Sequence, residues 1–249
     1  LSEHNGYYDF HSHILWGIDD GAASVEASLE IIRRKIELGF THLVATPHIM
    51  DGVYNNDLAI ITAHLAELRQ VLQAENLPVQ VYQGAEHYCD YRFYDSLRKK
   101  ELVTLHDQSR YFLVEIPTIK DQKWLNEMLF EAGRRGYTPI IAHPERYQAV
   151  QDNKLDIAEL VEQGAHLQIN LGSLSGIYGR AARKAAEMLF KRELISFIGT
   201  DSHGYAEEHA AHCKAMNILA QLISPEYLDA LLRVNPARAL QGLTCEISQ

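Results

Sequence analysis

At 249 residues and 47% apolar composition the chain can bury a large core, and its length suits one α/β barrel better than two small domains. A formal charge of −10 argues against a general nucleic-acid surface. No apolar run approaches the ~20 residues of a membrane span, so no integral membrane segment is expected; the scattered Cys89, Cys213 and Cys245 suggest neither a disulfide framework nor a zinc knuckle and fit a reducing cytoplasm.

Residues 1–249 read as one domain, and Leu1 to Asn5 lack the pattern of a signal peptide. Tyr7 to Phe10 reads as a strand. Ser24 then caps a helix with Val25, Leu29, Ile32 and Ile36 at helical spacing, ending before Gly39. His42 to Thr46 is a second strand, followed by a helix capped by Asp57 with Leu58, Ile61, Leu65, Leu68 and Leu72 in register. Strands over 79–83, 111–116, 138–142, 166–170 and 195–199 continue the series, with helices near 93–100, 122–135, 153–163 and 179–192 between them. Helices over 205–222 and 225–241 close the chain. This alternation demands a parallel sheet with right-handed crossovers; whether seven such units close into a barrel is not decided by pattern alone.

Unusual residues gather where the strands end. In Asp9-Phe10-His11-Ser12-His13, the i and i+2 imidazoles of an extended segment point the same way and suit either one cation or a hydrogen-bonded structural position. Asp19 and Asp20 either cap the following helix or supply a hard oxygen ligand. His48 follows Pro47 and His143 precedes Pro144, which restricts the backbone beside each imidazole. Glu86 follows the third strand, and Glu115 sits in an apolar run, Val114-Glu115-Ile116-Pro117, where a carboxylate needs a metal or an arginine as partner. Asp201 and His203 repeat the i, i+2 pattern after an apolar strand. His4, His42, His64, His87, His106, His166, His209 and His212 lack this context and read as solvated or packing residues.

The motifs His11-Ser12-His13, Thr46-Pro47-His48, His143-Pro144 and Asp201-Ser202-His203 resemble, in order, those of the polymerase and histidinol phosphatase (PHP) family. More narrowly, Gly17-Ile18-Asp19-Asp20-Gly21-Ala22 and His143-Pro144-Glu145-Arg146-Tyr147 are similar to bacterial tyrosine phosphatases of capsule and exopolysaccharide synthesis, over nearly the whole chain. The resemblance implies a distorted barrel of seven βα units and three divalent cations, commonly manganese. The substrate it implies is phosphotyrosine on a polysaccharide-assembly tyrosine kinase. Carried over by motif, His11, His13, Glu86 and Asp201 hold one metal, a bridging Glu86 with Glu115 and His143 a second, and Asp20, His48 and His203 a third. Arg146 matches the family's phosphate-binding arginine, whereas Gly204 to Glu208 contains no counterpart of a second arginine often found there.

An imidazole and carboxylate set also suits iron or zinc. Ions of this kind lower the pKa of bound water to about 7 and supply the nucleophile. A cysteine mechanism is discounted, because none of the three cysteines begins a Cys-x5-Arg pattern. The competing readings are a phosphatase of histidinol phosphate or another small phosphomonoester, a non-catalytic metal-binding regulator that recognises phosphotyrosine, and a PHP-type exonuclease, disfavoured by the missing basic track.

Overall fold

The structure is a computed structural model in which residues 6–107, 109–116 and 122–245 are described. His4 and Pro117 lie outside the described residues. Strand β1 (Tyr7–Ser12) leads to α1 (Val25–Glu37), whose N-terminus is capped by Ser24. Next come β2 (Phe40–Ala45), β3 (His48–Ile49) and α2 (Leu58–Ala74), capped by Asp57. β4 (Gln80–Gln83), β5 (Glu86–Tyr88) and α3 (Tyr91–Lys99) follow, then β6 (Tyr111–Glu115), α4 (Gln122–Arg134) and β7 (Thr138–Ala142). A 3-10 turn at Pro144–Arg146 precedes α5 (Gln148–Gln151), α6 (Ile157–Glu162), β8 (His166–Asn170) and α7 (Leu171–Ser175). The chain continues through α8 (Gly179–Lys191), β9 (Phe197–Gly199), α9 (Glu208–Leu222), α10 (Pro225–Asp229), a π-helical turn at Ala230–Val234 and α11 (Asn235–Leu240). The π turn lies just before Pro236, which has no N–H to donate and would break a regular α-helix.

Among the described residues, seven strand positions form a distorted parallel α/β barrel, two of them split in half. The second is β2 continued by β3 after Thr46-Pro47, and the third is β4 continued by β5 after Gly84-Ala85; the first halves pair with β1 and each other, the second halves with each other and β6. Proline removes a ladder donor at the first break, and the two halves stay in step through Glu86 N–H donating to the Pro47 carbonyl at 3.1 Å. Periodicity places His48 and Glu86 just past the strands, whereas the structure makes each the first residue of a resumed strand.

The ring closes between β9 and β1 without a full ladder. Asp201 N–H donates to His11 O at 2.8 Å and His13 N–H to Ser202 O at 3.2 Å. Gly199 permits this approach, since a Cβ there would lie 2.3 Å from His11 Cβ. β1 also carries an irregularity: Asp9 pairs with Leu43 and Ser12 with Ala45, three steps against two. The extra residue breaks strict alternation, as bulges beside active sites commonly do, so that Phe10 stacks on Phe197 at 4.4 Å while the adjacent His11 reaches Gln168 of β8. Asp9 is spent on structure, accepting from buried Lys35 of α1 and from Thr200 N–H at 2.8 Å.

A small core of Tyr8, Phe10, Tyr111, Leu113, Ile140 and Phe197 fills the space between the strands, and α11 covers it with Ala239 and Leu240. A larger core lies between strands and helices, where α1, α2 and α4 turn their apolar stripes inward. Among the described residues no helix is long and apolar enough to cross a membrane.

His87, His166 and His212 are buried in this scaffold, and burial pushes each of them down to about 4. Unfolded histidine titrates near ~6.5, so between these values the unfolded chain binds more protons and stability falls as the pH falls. At ~1.4 kcal/mol per pKa unit each group accounts for roughly 3 kcal/mol over the window. Urea unfolding of wild type and His166→Phe from pH 7.5 to 4 should therefore show the wild type's advantage shrinking below pH 6.5; a constant difference would count against it.

Candidate metal centre

The strand ends bring all nine histidine and carboxylate candidates into one cluster. His11 and His13 extend from β1, His48 opens β3, Glu86 opens β5, Glu115 ends β6, and His143 follows β7. Asp201 and His203 follow β9, and Asp20 comes from the loop after β1. His143 and Asp201 have φ of 34° and 52°, in the left-handed region that costs an L side chain of order 1 kcal/mol.

Three imidazoles are fixed through Nδ1. His13 Nδ1 lies 2.8 Å from Asp19 Oδ2, His11 Nδ1 2.9 Å from Gln168 Oε1, and His203 Nδ1 2.9 Å from the Asp201 carbonyl. A carboxylate or carbonyl can only accept, and Gln168 Oε1 is the amide's acceptor end, so each Nδ1 carries a hydrogen and Nε2 is the nitrogen left to bind a cation once any second proton is released. The consequence is unusual: His11 Nε2 and His13 Nε2 face each other at 3.1 Å. Glu86 Oε2 is 3.1 Å and 3.4 Å from these two atoms, and Asp201 Oδ1 is 3.4 Å and 3.3 Å from them. A regular tetrahedron with metal–donor bonds of about 2.0–2.1 Å has edges of about 3.3 Å. Five of the six edges among the four donors thus match a small divalent cation.

Two further groups adjoin it. Asp20 Oδ1 lies 3.5 Å from both His48 Nε2 and His203 Nε2, and His13 joins this set. Glu86 and Glu115 converge with His48. His143 Nε2 sits 2.9 Å from Glu86 Oε1, with its Nδ1 buried and without a hydrogen-bond partner among the described residues. His48 and His13 therefore each stand between two groups, where motif matching gives each a single role.

The electrostatics are those of a site that exchanges protons for cations. Burial alone would raise the Glu86 carboxyl, but His11 and His48 hold it well below the usual carboxylate range, and Asp201 is held down by His11 and His13 in the same way. Burial opposes protonation of His11 and His13; Glu86 and Asp201 at His11, and chiefly Asp19 at His13, reverse this and raise both. Glu115 goes the other way, raised by burial and by the neighbouring Glu86. A divalent ion satisfies the same carboxylates without a proton on imidazole.

Arg146, on the 3-10 turn after His143, donates to Asp201 Oδ2 at 3.0 Å, and its guanidinium lies 4.7 Å from the centroid of the Tyr178 ring. Asn170 Nδ2 donates to the same Asp201 oxygen at 2.6 Å, and Gln168 Nε2 to Asn170 Oδ1 at 2.9 Å. A buried polar chain thus joins His11 to Asp201 through β8. Glu145 accepts from Asn170 N–H and the Ser173 hydroxyl and holds the turn that carries His143 and Arg146.

Asp19, Gln168, Asn170 and Tyr178 are the residues that motif reasoning passed over or left undecided. Asp19 does not cap α1, as Ser24 does; its buried carboxylate accepts from the N–H groups of Gly21 and His48 and orients His13. The available signal for Gln168 and Asn170 was the polar alternation of His166-Leu167-Gln168-Ile169-Asn170 in a fully buried strand. Of the remaining histidines, His42 stacks on Tyr8 at 4.1 Å, His87 bonds the Val103 carbonyl, and His209 pairs with Glu37.

Comparison with known proteins gives the same frame. Tyrosine-protein phosphatase YwqE of Bacillus subtilis (strain 168) is 32% identical over 236 residues, 95% of this chain and 92% of the relative. A chain from the crystal structures of YwqE and of CpsB from Streptococcus pneumoniae, described as metal-dependent tyrosine phosphatases, superposes with a TM-score of 0.87 at 29% identity and covers 97% of both chains. Histidinol phosphate phosphatase of Lactococcus lactis subsp. lactis, solved with zinc, L-histidinol and phosphate, matches at a TM-score of 0.53 and 14% identity over 86% of this chain and 94% of that one, a likeness of fold alone. The profile described as capsular polysaccharide synthesis, CpsB/CapC, matches residues 7–241 and so encloses every residue of the cluster, which places this chain in the CpsB/CapC family.

Proposed function

We propose that the chain, acting as a single PHP-type unit, is a metal-dependent protein tyrosine phosphatase that removes phosphate from a polysaccharide-assembly tyrosine kinase in the cytoplasm. The observation that carries the metal reading is the pair of Nε2 atoms facing each other at 3.1 Å between two carboxylates. The substrate reading draws on the family's description and on the relatives named tyrosine-protein phosphatases. Three ions are proposed, manganese first, with iron or zinc as alternatives suited to the same donors. His11, His13, Glu86 and Asp201 would hold one, Glu86, Glu115 and His143 a second, and Asp20, His48 and His203 a third.

Bound divalent ions would supply a water nucleophile at neutral pH and offset charge on the phosphoryl oxygens. Arg146 keeps one arm on Asp201 and offers the rest of its fork to the non-bridging oxygens. Asp19, Gln168 and Asn170 keep His11, His13 and Asp201 from rotating as the phosphoryl group moves. The leaving phenolate has a conjugate acid near pKa ~10 and needs little help from a side-chain acid.

Dialysis against a chelator should lower turnover of a phosphotyrosine peptide by at least about two orders of magnitude, and manganese should restore it. The triple variant Cys89→Ser, Cys213→Ser and Cys245→Ser should keep kcat/KM within about threefold of wild type, since none of these thiols belongs to the ligand groups. Full activity after verified metal removal, or a trapped phosphocysteine, would defeat the proposal.

A further inference from the structure

The organic half of the ester needs a place as well as the phosphoryl group, and two cavities meet at Arg146. The larger, about 680 Å³, runs past Glu115 and His143 towards Tyr88, Tyr147 and the Asp152–Lys154 ion pair. The smaller, about 360 Å³, is lined by Asp20, Asp201 and His203 and by Ile177, Tyr178 and Tyr205.

The smaller cavity is bounded by two turns. Gly176 and Gly179, whose φ of +90° and +91° L side chains rarely adopt, bracket Ile177 and Tyr178. Tyr178 lies against the guanidinium of Arg146. On the opposite turn Tyr205 stacks on His203 with ring centroids 6.1 Å apart and planes 12° apart. Glu208 anchors that turn by accepting from the N–H groups of His203 and Gly204. Tyr205 is nonetheless 58% exposed, so much of its ring remains open to a ligand. In the larger cavity Tyr147 has no such freedom: it is only 9% exposed, its hydroxyl accepts from Ile116 N–H, and its ring meets His143 edge-on.

We propose that the smaller cavity is the subsite for the aromatic ring of an aryl phosphate, with Tyr205 as its specificity-determining wall. This rests on the phosphatase reading above and deepens it. Arg146 is the one lysine or arginine among the described lining residues, which also include the carboxylates of Glu207 and Glu208, so the subsite offers one strong anion contact at one end, repels further negative charge, and leaves the open part of the Tyr205 ring along one side. Such a pocket favours a monoester on a neutral ring over a phosphate on a short alkyl chain.

The test is calorimetric titration of the manganese-loaded chain, and separately the zinc-loaded chain, with phenylphosphonate and with methylphosphonate. Wild type should bind the phenyl compound about tenfold more tightly. Tyr205→Ala should bring that ratio close to one, Tyr205→Phe should restore it, and Tyr88→Ala should leave it. Three results overturn the proposal: no phenyl preference in wild type, equal weakening of both ligands in Tyr205→Ala, which would mean that the ring acts only through His203, or loss of the preference in Tyr88→Ala. Absence of phosphotyrosine turnover beside an intact phenyl preference would instead defeat the catalytic reading and leave the subsite standing.

Discussion

Glu86→Gln is expected to lower kcat/KM on a phosphotyrosine peptide by on the order of 10²–10³-fold and to reduce bound manganese. Oε2 of this 1%-exposed carboxylate lies 3.1 Å from His11, 3.4 Å from His13 and 3.2 Å from His48, while Oε1 lies 2.9 Å from His143. One side chain therefore faces four imidazoles. Glutamine keeps the volume but removes the charge that would offset bound cations, and its amide donates where a ligand must accept. Without metal the folding cost should be smaller than the catalytic one, because the imidazoles can release protons once the carboxylate is gone. Metal content by mass spectrometry, kinetics and melting in chelator separate these effects; wild-type metal content together with wild-type turnover would rule against a bridging Glu86.

Arg146→Ala should leave metal content nearly unchanged and lower kcat/KM by about 10²–10³-fold. Asp201 keeps its contact with Asn170 at 2.6 Å after the guanidinium is removed, so the candidate ligand stays in place. The kinetic effect should be large because the turn after His203 supplies no second arginine; Glu207 and Glu208 stand there, and Glu208 is committed to the backbone. Arg146→Lys should recover only part of the loss, since an ammonium lacks the planar fork and the stacking on Tyr178. Unchanged kcat/KM in Arg146→Ala would remove this residue from the phosphate site.

The seven strand positions were legible because apolar runs such as Tyr111–Glu115 and Thr138–Ala142 alternate with segments of helical spacing. The splits at Thr46-Pro47 and Gly84-Ala85 were not, since resumed strands of two and three residues are too short to show a period. The five-residue α7 escaped for the same reason, and the helix expected over 153–163 shrinks to Ile157–Glu162 behind its Asp156 cap. At the site, histidines beside prolines and acids after strands announced themselves by residue type. Asp19 did not: a carboxylate that orients a ligand and one that binds an ion look identical until the fold sets their partners. Tyr178 depended on a turn bracketed by two glycines, which linear spacing does not connect with Arg146, more than thirty positions earlier in the chain.

The join between β9 and β1 carries a further meaning. A barrel is a hoop, and a hoop is as strong as its clasp. Here two backbone hydrogen bonds fasten the ends, while His11 and His13 stand on one end and Asp201 on the other. An ion shared by these residues would rivet the first strand to the last, so the cation that equips the site for chemistry would also complete the circumference of the fold.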